Sequence, residues 1–416
     1  MKQIVIMKIR SFSKLLRCLI TFCIVMSSLY LNAQNYNISG KVTDSLGVPV
    51  PFVSVGIEGS HEGTFTNENG EFSINLENKT PVVLTVSHIA YKKQRVEAPS
   101  GEYVVIKLSE ARIMLQEVTV SRMGLNFIKK AFEKIIESGK KYSAKGFYRQ
   151  ITGESNEVTN IIECYYSLNM NTISNAERYR ILNGRYGVVK RDSSNFSFNI
   201  NNFKYYPLGF SNAKKAIPGV NTIFFPMIPN VEEFYSFSVA GIIRQEDERE
   251  ILKIRCSPEQ KLPVAFEGYY YIDKKTFNIE RIEGEVIGEI GLSFSDTEKM
   301  LKSHNNGFSI VVSYKEIDGY AIPGYIHMKT VVNVSLKGEN KEFKTTGTLF
   351  FFEYSDKVNR KGVKNSIKTH DFKEISKVKY DPVFWKENNP VKYTTGEEEA
   401  VRIYDKNNYF GTYFKD

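Results

Sequence analysis

The stretch Thr66-Asn67-Glu68-Asn69-Gly70-Glu71-Phe72 decides the fold of the first part of the chain. Asn69-Gly70 is the pair most typical of a two-residue β-hairpin turn, because both positions need a positive φ and these residues adopt it at low cost. Phe52 to Ile57 and Phe72 to Leu76, on either side of the turn, have the composition of short strands. Short strands separated by turns predict a small β-sandwich over residues 36–108.

Residues 1–33 have the pattern of a secretory signal peptide. Met1 to Arg17 carries five basic residues and no acidic one, and an apolar run from Leu19 to Met26 precedes Ala33. This pattern predicts cleavage after Ala33 and export of the protein. An uncleaved membrane anchor is the alternative, but the apolar run is short for the roughly 20 residues that a spanning helix needs.

The charge of the chain does not indicate a nucleic-acid partner. The whole chain has a formal net charge of +9, and five of its basic residues lie in the signal peptide. Elsewhere basic and acidic residues are interspersed, without a basic block of the kind that binds nucleic acid. We therefore expect no nucleic-acid partner.

Two cysteines, Cys18 and Cys23, lie in the signal peptide, in contexts that do not match a lipid-modified cysteine. Cys164 and Cys256 remain. In an oxidising compartment these two can form a disulfide, and two separate buried thiols are the alternative. Neither cysteine has the spacing of a metal ligand, and both interpretations stay open.

Glycines, prolines and aromatic residues fall in a fixed register along the predicted sandwich. This fold signature consists of Gly40, Asp44, Gly47, Pro49, Gly63, Asn69, Gly70 and Phe72. With it, the stretch resembles the carboxypeptidase-regulatory-like domain. The resemblance implies a transthyretin-like β-sandwich in a bacterial envelope protein, without catalysis by this module. Two departures, Asn67 for the common Asp and Ala90 for the usual Gly before Tyr91, leave the fold prediction unchanged.

Residues 109–123 are predicted to be a linker strand between two domains. Within them Leu115-Gln116-Glu117-Val118-Thr119-Val120 resembles the segment that follows the same module in TonB-dependent receptors. There the segment is an energy-coupling strand, so the resemblance implies docking to a partner's sheet edge through Leu115, Glu117, Val118 and Val120. A strand paired within this chain is the alternative.

Residues 124–356 predict a second domain made of one helix and antiparallel strands. Apolar residues at helical spacing from Leu125 to Ile136, followed by Gly139, predict an amphipathic helix that packs on a core. Strand patterns fall at residues 250–256, 265–272, 278–286, 308–314, 326–336 and 348–354. Residues 194–234 are interpreted as an insertion or lid, and residues 357–416 as a C-terminal extension that packs along an edge or is partly mobile.

The predicted fold is therefore mainly β, with a transthyretin-like β-sandwich followed by an α+β antiparallel domain. The order of the helix, Phe147-Tyr148-Arg149 and the strand from Ala265 to Asp273 is similar to a family of bacterial envelope proteins. These proteins join the same module to a region like the half-barrels of lipoprotein carriers, so the similarity implies a half-barrel for the second domain. With the signal peptide and the sandwich module, we expect binding or assembly at the periplasmic side of the outer membrane.

Catalytic and metal-binding residue sets are not found at the required spacing. The five histidines lack the His-x-x-Glu and His-Glu-x-x-His patterns that bring two ligands to one zinc ion. There is no nucleophile elbow and no phosphate-binding loop. Glu267 and Glu280 are a conceivable carboxylate pair, but solvated strand residues are the preferred interpretation. We predict a protein that is not an enzyme and has no metal or cofactor.

The candidate ligand-binding residues are Glu267, Tyr269 and Tyr271. They share one face of a strand, opposite Phe266 and Tyr270. If the sheet curls, an aromatic face lines a groove for an acyl chain, a peptide or a glycan. A plain core beneath the helix is the alternative.

Together these patterns predict a non-enzymatic, exported envelope protein. It is expected to bind an envelope protein or an apolar or glycan ligand in the periplasm or at the periplasmic face of the outer membrane. Two alternatives stay open: an accessory module of an outer-membrane receptor or transport system that docks by strand addition, and a small outer-membrane barrel.

Overall fold

The computed structural model describes residues 36–60, 62–76, 81–99, 101–114, 122–155, 157–171, 176–189, 222–223, 231–259, 264–288, 302–336, 339–358, 365–366 and 374–411. The predicted signal peptide and the predicted docking residues Leu115, Glu117, Val118 and Val120 lie outside these residues. Of the predicted insertion at 194–234, only residues 222–223 and 231–234 are described.

The first domain is a β-sandwich, as predicted. Its strands are β1 (Tyr36–Thr43), β2 (Ser54–Ile57), β3 (Gly63–Phe65), β4 (Glu71–Leu76), β5 (Val82–Ser87), β6 (Gln94–Ala98) and β7 (Tyr103–Lys107). They form one sheet in the order β4-β1-β7 and another in the order β3-β2-β5-β6. Alternate residues of both sheets, among them Ile38, Val42, Phe72, Leu84 and Val86, form a shared apolar core.

The turn at residues 66–72 corrects one prediction, because it is not a hairpin. The strands that it joins belong to different sheets, since β3 pairs with β2 and β4 pairs with β1. The Asn67 side chain holds the turn by accepting hydrogen bonds from the backbone N–H groups of Asn69 and Glu71, both at 2.9 Å. Gly70 has a φ of +72°, whereas Asn69 is not among the residues of positive φ that a two-residue hairpin needs.

The second domain is dominated by one large sheet. Its chain order is β8 (Arg112–Met114), α1 (Arg122–Ser138), β9 (Lys141–Glu154), β10 (Glu157–Asn171), β11 (Ala176–Val188), β12 (Thr222–Ile223), a 3₁₀ helix (Val231–Glu233), β13 (Tyr235–Arg244), β14 (Glu250–Pro258), β15 (Val264–Asp273), β16 (Ile279–Gly288), β17 (Lys302–Ile317), β18 (Tyr320–Leu336), β19 (Glu339–Ser355), β20 (Asn365–Ser366), α2 (Pro382–Glu387) and α3 (Thr395–Lys406). The sheet order is β20-β11-β10-β9-β19-β18-β17-β16-β15-β14-β13-β8. β12 pairs in parallel with β15, and the other neighbours are antiparallel. β8, which lies within the predicted linker, pairs with β13 of the same chain.

α1, the helix that the sequence predicts, packs on one face of the large sheet. It contacts β13, β15 and β18. Its 17 residues span about 26 Å at about 1.5 Å per residue, which is close to the roughly 24 Å between β13 and β18 at about 4.8 Å per strand. The helix therefore lies across the strands, with its first end on β13 and its second end near β18. We call the face that packs on α1 the inner face, and the opposite face the outer face.

The two cysteines of the second domain are not joined by a disulfide. Cys164 lies on β10 and Cys256 on β14, two strands with six others between them in the sheet. Both side chains are buried in the apolar core beneath α1. The structure has them as two separate buried thiols, one of the two alternatives that the sequence leaves open.

Residues 374–411, which we call the C-terminal strap, begin with Ile375 in the core beneath α1, then cross the outer face of the sheet and bind the sandwich as well. Thr64 donates a hydrogen bond to the Pro390 carbonyl at 2.5 Å, and the Asn67 amide donates one to the Tyr393 carbonyl at 3.0 Å. An aspartate at position 67 could not donate to Tyr393, so the departure from the family pattern at Asn67 supports this contact. The strap is thus part of the interface that joins the two domains.

A buried charge cluster fixes the strap to the outer face. The Glu163 carboxylate accepts hydrogen bonds from Arg149 and Arg185, both at 2.7 Å, and from the Tyr393 hydroxyl at 2.6 Å. Arg149 also donates to the Val391 carbonyl at 2.9 Å. Burial alone would raise the pKa of Glu163, but the charges of Arg185 and Arg149 and the hydrogen bonds from Tyr393 and Arg149 lower it to about 2.

Candidate functional site

The three predicted ligand-binding residues lie together on the outer face of β15. Tyr271 is buried, packs against Ala111 of the linker and donates a hydrogen bond to Glu283 at 2.5 Å. Glu267 forms a salt bridge with Arg255 at 2.9 Å. Tyr269 is partly buried beside this cluster, and Lys253 Nζ lies 4.2 Å from its ring. The structure therefore places Tyr271 against the linker and gives the polar groups of Glu267 and Tyr271 partners within the protein.

The inner face of the same strand carries Phe266 and Tyr270, which the sequence analysis set aside. The Tyr270 ring is fully buried and lies 6.1 Å from the Phe266 ring and 6.4 Å from the rings of Phe132 and Phe237. Within the described residues its hydroxyl oxygen has no hydrogen-bond partner. Burial raises the pKa of Tyr270 well above its ordinary value, so this hydroxyl is a neutral hydrogen-bond donor.

The interior between α1 and the inner face is uncharged as far as the structure describes it. Its core consists of aliphatic and aromatic side chains with buried tyrosines and cysteines among them. The buried charged residues of this domain bind the strap, the sandwich or other outer-face residues, or hold a turn: Arg149, Glu163, Arg185, Asp273, Arg281 and His327. An apolar molecule with an uncharged polar group matches such an interior, because burying an unpaired charge is costly.

α1 closes the interior, and its two ends differ in how tightly they pack. At the first end, a Cβ added to Gly124 would lie 2.7 Å from the Phe237 carbonyl oxygen, so helix and β13 are in close contact. At the second end, a cavity of about 10 Å³ lies between Ile135, Ile279 and Tyr320. This volume holds about one water molecule, so a larger ligand needs α1 to move away from the sheet.

A second cavity, the interdomain cleft, lies between the sandwich and the outer face of β17 and β18. It has a volume of about 200 Å³ and is lined by Pro51, Phe52, Glu68, Ser309, Ile310, Val311, His327 and Lys329. His327 Nε2 lies 2.9 Å from a Glu68 carboxylate oxygen, and the His327 ring lies 4.7 Å from that of Phe52. Phe52 has a φ of +59°, which is rare for a bulky residue and marks local backbone strain.

Replacing His327 with leucine raises the pKa of Glu68 toward 4.5, because the hydrogen bond to His327 is the largest cause of its lowered pKa. The native contribution of Glu68 to stability is present above pH 4.5 and is lost as the pH falls through the lowered pKa. A carboxylate titration followed by NMR measures the shift. Lys329→Leu is the control and gives a smaller rise, since Lys329 contributes least; an unchanged Glu68 titration in His327→Leu contradicts the assignment.

The sequence analysis missed the interdomain cleft for a physical reason. Glu68 and His327 are 259 positions apart in the chain, and neither belongs to a local motif. The alternation along β18 places His327 on the polar face but contains no information about what covers that face. The turn signature at residues 66–72 was the one available signal, since it holds Glu68.

The described residues contain no metal site and no membrane-crossing helix. Nowhere among them do three or more His, Cys, Asp or Glu side chains come together as a metal ion requires. None of the described helices has both the length and the apolar character needed to cross a membrane.

The family comparison identifies the sandwich. Residues 38–120 match the model of the CarboxypepD_reg-like domain, so this part of the chain is such a domain. Over 94 residues the chain is also 33% identical to the TonB-dependent receptor P39 of Formosa agariphila. This aligned stretch covers 23% of this chain. The match spans 9% of the receptor's length, so it relates one module of the receptor to this protein. Both similarities are consistent with a protein of the bacterial envelope.

Two solved structures are weakly similar to this chain. A DUF1329 family protein from Desulfovibrio piger is 9% identical and has a TM-score of 0.24, with 57% of this chain and 94% of that chain covered. A LolA superfamily protein from Nitrosomonas europaea is 11% identical and has a TM-score of 0.23, with 60% of this chain and 98% of that chain covered. At these values the likenesses carry no argument about function.

Proposed function

We propose that the protein is an exported, non-enzymatic envelope protein that binds an uncharged, apolar molecule between α1 and the inner face of the large sheet. The observation that carries the proposal is the Tyr270 hydroxyl, which is buried and has no hydrogen-bond partner among the described residues. Its place of action is the periplasm or the periplasmic face of the outer membrane. The signal-peptide pattern and the CarboxypepD_reg-like domain support this location.

A buried donor without a partner lowers stability by about 1 to 3 kcal/mol, and native proteins keep few of them. A ligand that brings a hydrogen-bond acceptor to Tyr270 removes this penalty. The phenol is neutral and donates, so the matching ligand group is a carbonyl or hydroxyl oxygen. An acyl chain with an uncharged ester group has this chemistry.

Entry of the ligand requires α1 to swing at its second end. The close contact of Gly124 with Phe237 holds the first end, while the second end is held by polar contacts at the rim. Lys134 donates a hydrogen bond to the Thr276 carbonyl at 2.7 Å, and Lys140 pairs with Asp318. The Lys140–Asp318 pair is solvent-exposed and contributes at most about 1 kcal/mol, and the Lys134 contact is a single hydrogen bond, so opening at this end is the easier movement.

The variant Tyr270→Phe separates this function from simple packing. Without the hydroxyl, the empty protein melts at a higher temperature, because a buried donor without a partner is removed. The same variant retains about tenfold less ligand, corresponding to one lost hydrogen bond of about 1.4 kcal/mol. Native mass spectrometry of the detergent-free periplasmic protein measures retained ligand, and thermal unfolding of the delipidated protein measures stability.

Tyr103→Phe is the matched control, because Tyr103 is exposed on the sandwich and its substitution changes neither measurement. A native protein that emerges without any bound apolar molecule contradicts the proposed function. Equal retention by the native protein and Tyr270→Phe contradicts the role of the hydroxyl. Docking through Leu115, Glu117, Val118 and Val120 stays a prediction.

A further inference from the structure

β7 is an edge strand of the sandwich with an unusually apolar outward face. It lies at one end of the sheet ordered β4-β1-β7. Tyr103 is 55% exposed and Val105 is 65% exposed. β7 contains no proline and no bulge, and among the described residues no strand pairs with its outward side. Such an edge is a template for pairing with another strand, and natural proteins usually block it.

The direction of the backbone groups along β7 can be derived from its contacts with β1. The Val104 carbonyl oxygen faces β1, since it would lie 2.1 Å from a Cβ added to Gly40. The Leu108 N–H donates to the Thr43 carbonyl at 2.8 Å. Because successive residues of a strand direct their N–H and C=O groups to opposite edges, those of Tyr103, Val105 and Lys107 point away from β1.

Most of these outward groups are available for pairing. Among the described residues, the Lys107 carbonyl accepts a hydrogen bond from the Gln94 side chain at 2.9 Å. The outward backbone groups of Tyr103 and Val105 make no such contact with the described residues. A carbonyl oxygen can accept two hydrogen bonds, so Lys107 also remains able to pair.

The sequence of this edge is complementary to itself. When two copies run antiparallel around a twofold axis at Val105, each Val105 lies opposite the other, and Tyr103 lies opposite Lys107 of the second copy. The outward backbone groups are those of the same three residues, so hydrogen bonding and side-chain pairing select the same register. The Tyr103 ring already has Lys392 Nζ at 5.9 Å, which shows that a cation can approach it.

We propose that β7 pairs with β7 of a second copy of this chain. The two strands run antiparallel, and their pairing joins two three-stranded sheets into one six-stranded sheet. The occupant is a second copy because the valine pair and the two tyrosine and lysine pairs are satisfied at once by the same strand. A contact of one short strand is small, so the dimer is weak and forms at high protein concentration.

Cysteine cross-linking tests the register in the full mature chain. Val105→Cys forms an intermolecular disulfide under mild oxidation, because hydrogen-bonded partners on antiparallel strands have Cα atoms about 5.5 Å apart, within the range that disulfides span. Tyr103→Cys does not, because two such residues lie about 13 Å apart in this register. Val48→Cys, which is comparably exposed on a loop, is the control for random collision.

Sedimentation over a range of concentrations tests the dimer without cross-linking. Val105→Lys weakens dimerisation about tenfold, since it removes the valine pair and places two like charges opposite each other. Val48→Lys leaves dimerisation unchanged. A chain that stays monomeric at all concentrations, or that cross-links equally through positions 48, 103 and 105, overturns the proposal.

Discussion

Replacing Glu163 with glutamine lowers the free energy of unfolding by about 3 to 5 kcal/mol, because two buried arginines then share no negative charge. Arg149 and Arg185 both donate to the native carboxylate, and the side chains of all three residues are nearly inaccessible to solvent. Their hydrogen bonds to the C-terminal strap are made from the same buried positions. Urea unfolding at pH 7, analysed by linear extrapolation, measures the loss.

Glu58→Gln is the matched control, because Glu58 pairs with Arg95 at an exposed site. It changes stability by no more than about 1 kcal/mol. The native protein also loses stability as the pH falls from 4.5 to about 2, since a lowered carboxyl pKa stabilises the fold only while the group is ionised. Glu163→Gln lacks this part of the acid sensitivity; equal losses from the two substitutions would contradict the role of the charge cluster.

Replacing Gly268 with alanine is expected to lower the free energy of unfolding by about 3 kcal/mol. Gly268 on β15 lies opposite Gly284 on β16. A Cβ at Gly268 would lie 2.2 Å from the Glu283 carbonyl oxygen and 2.6 Å from the Phe266 ring. Both distances are too short for a van der Waals contact. Because one neighbour is backbone and the other is a buried ring, neither can move away without distorting the inner face.

Gly396→Ala is the control for this substitution, since it lies in α3 and no atom lies within 4 Å of the added Cβ. It is expected to raise stability by about 0.5 to 1 kcal/mol through its helix propensity. Thermal unfolding of both variants tests whether Gly268→Ala lowers stability and Gly396→Ala raises it. A Gly268→Ala variant as stable as the native protein would show that the two strands are further apart than described.

The sequence contains enough information for the strands and the helix but not for their partners. Alternation predicted the inner and outer rows of β17, β18 and β19, and helical spacing predicted α1. Asn69-Gly70 marked a turn correctly but suggested the wrong pairing, because Asn67 and not the turn geometry determines where the chain goes. Local propensity does not indicate which sheet a strand joins.

The predicted ligand-binding residues and the interior that we propose as the binding site lie on opposite faces of the same strand. Alternation separates Tyr269 and Tyr271 from Phe266 and Tyr270, but it does not indicate which row faces the helix. That choice depends on where α1 packs. For the same reason, Glu163 looks like an ordinary strand residue in the sequence, since both of its arginine partners and Tyr393 come from other segments.

The C-terminal strap has a consequence for the order of folding. Val391 and Tyr393 complete the environment of Arg149, which is 242 positions from Val391 in the chain. Loops of this length close slowly, so the large sheet and the sandwich can assemble their local strands well before the charge cluster is covered. We expect the docking of the strap to be a late step, during which the outer face of β9 to β11 is exposed to solvent and to other chains.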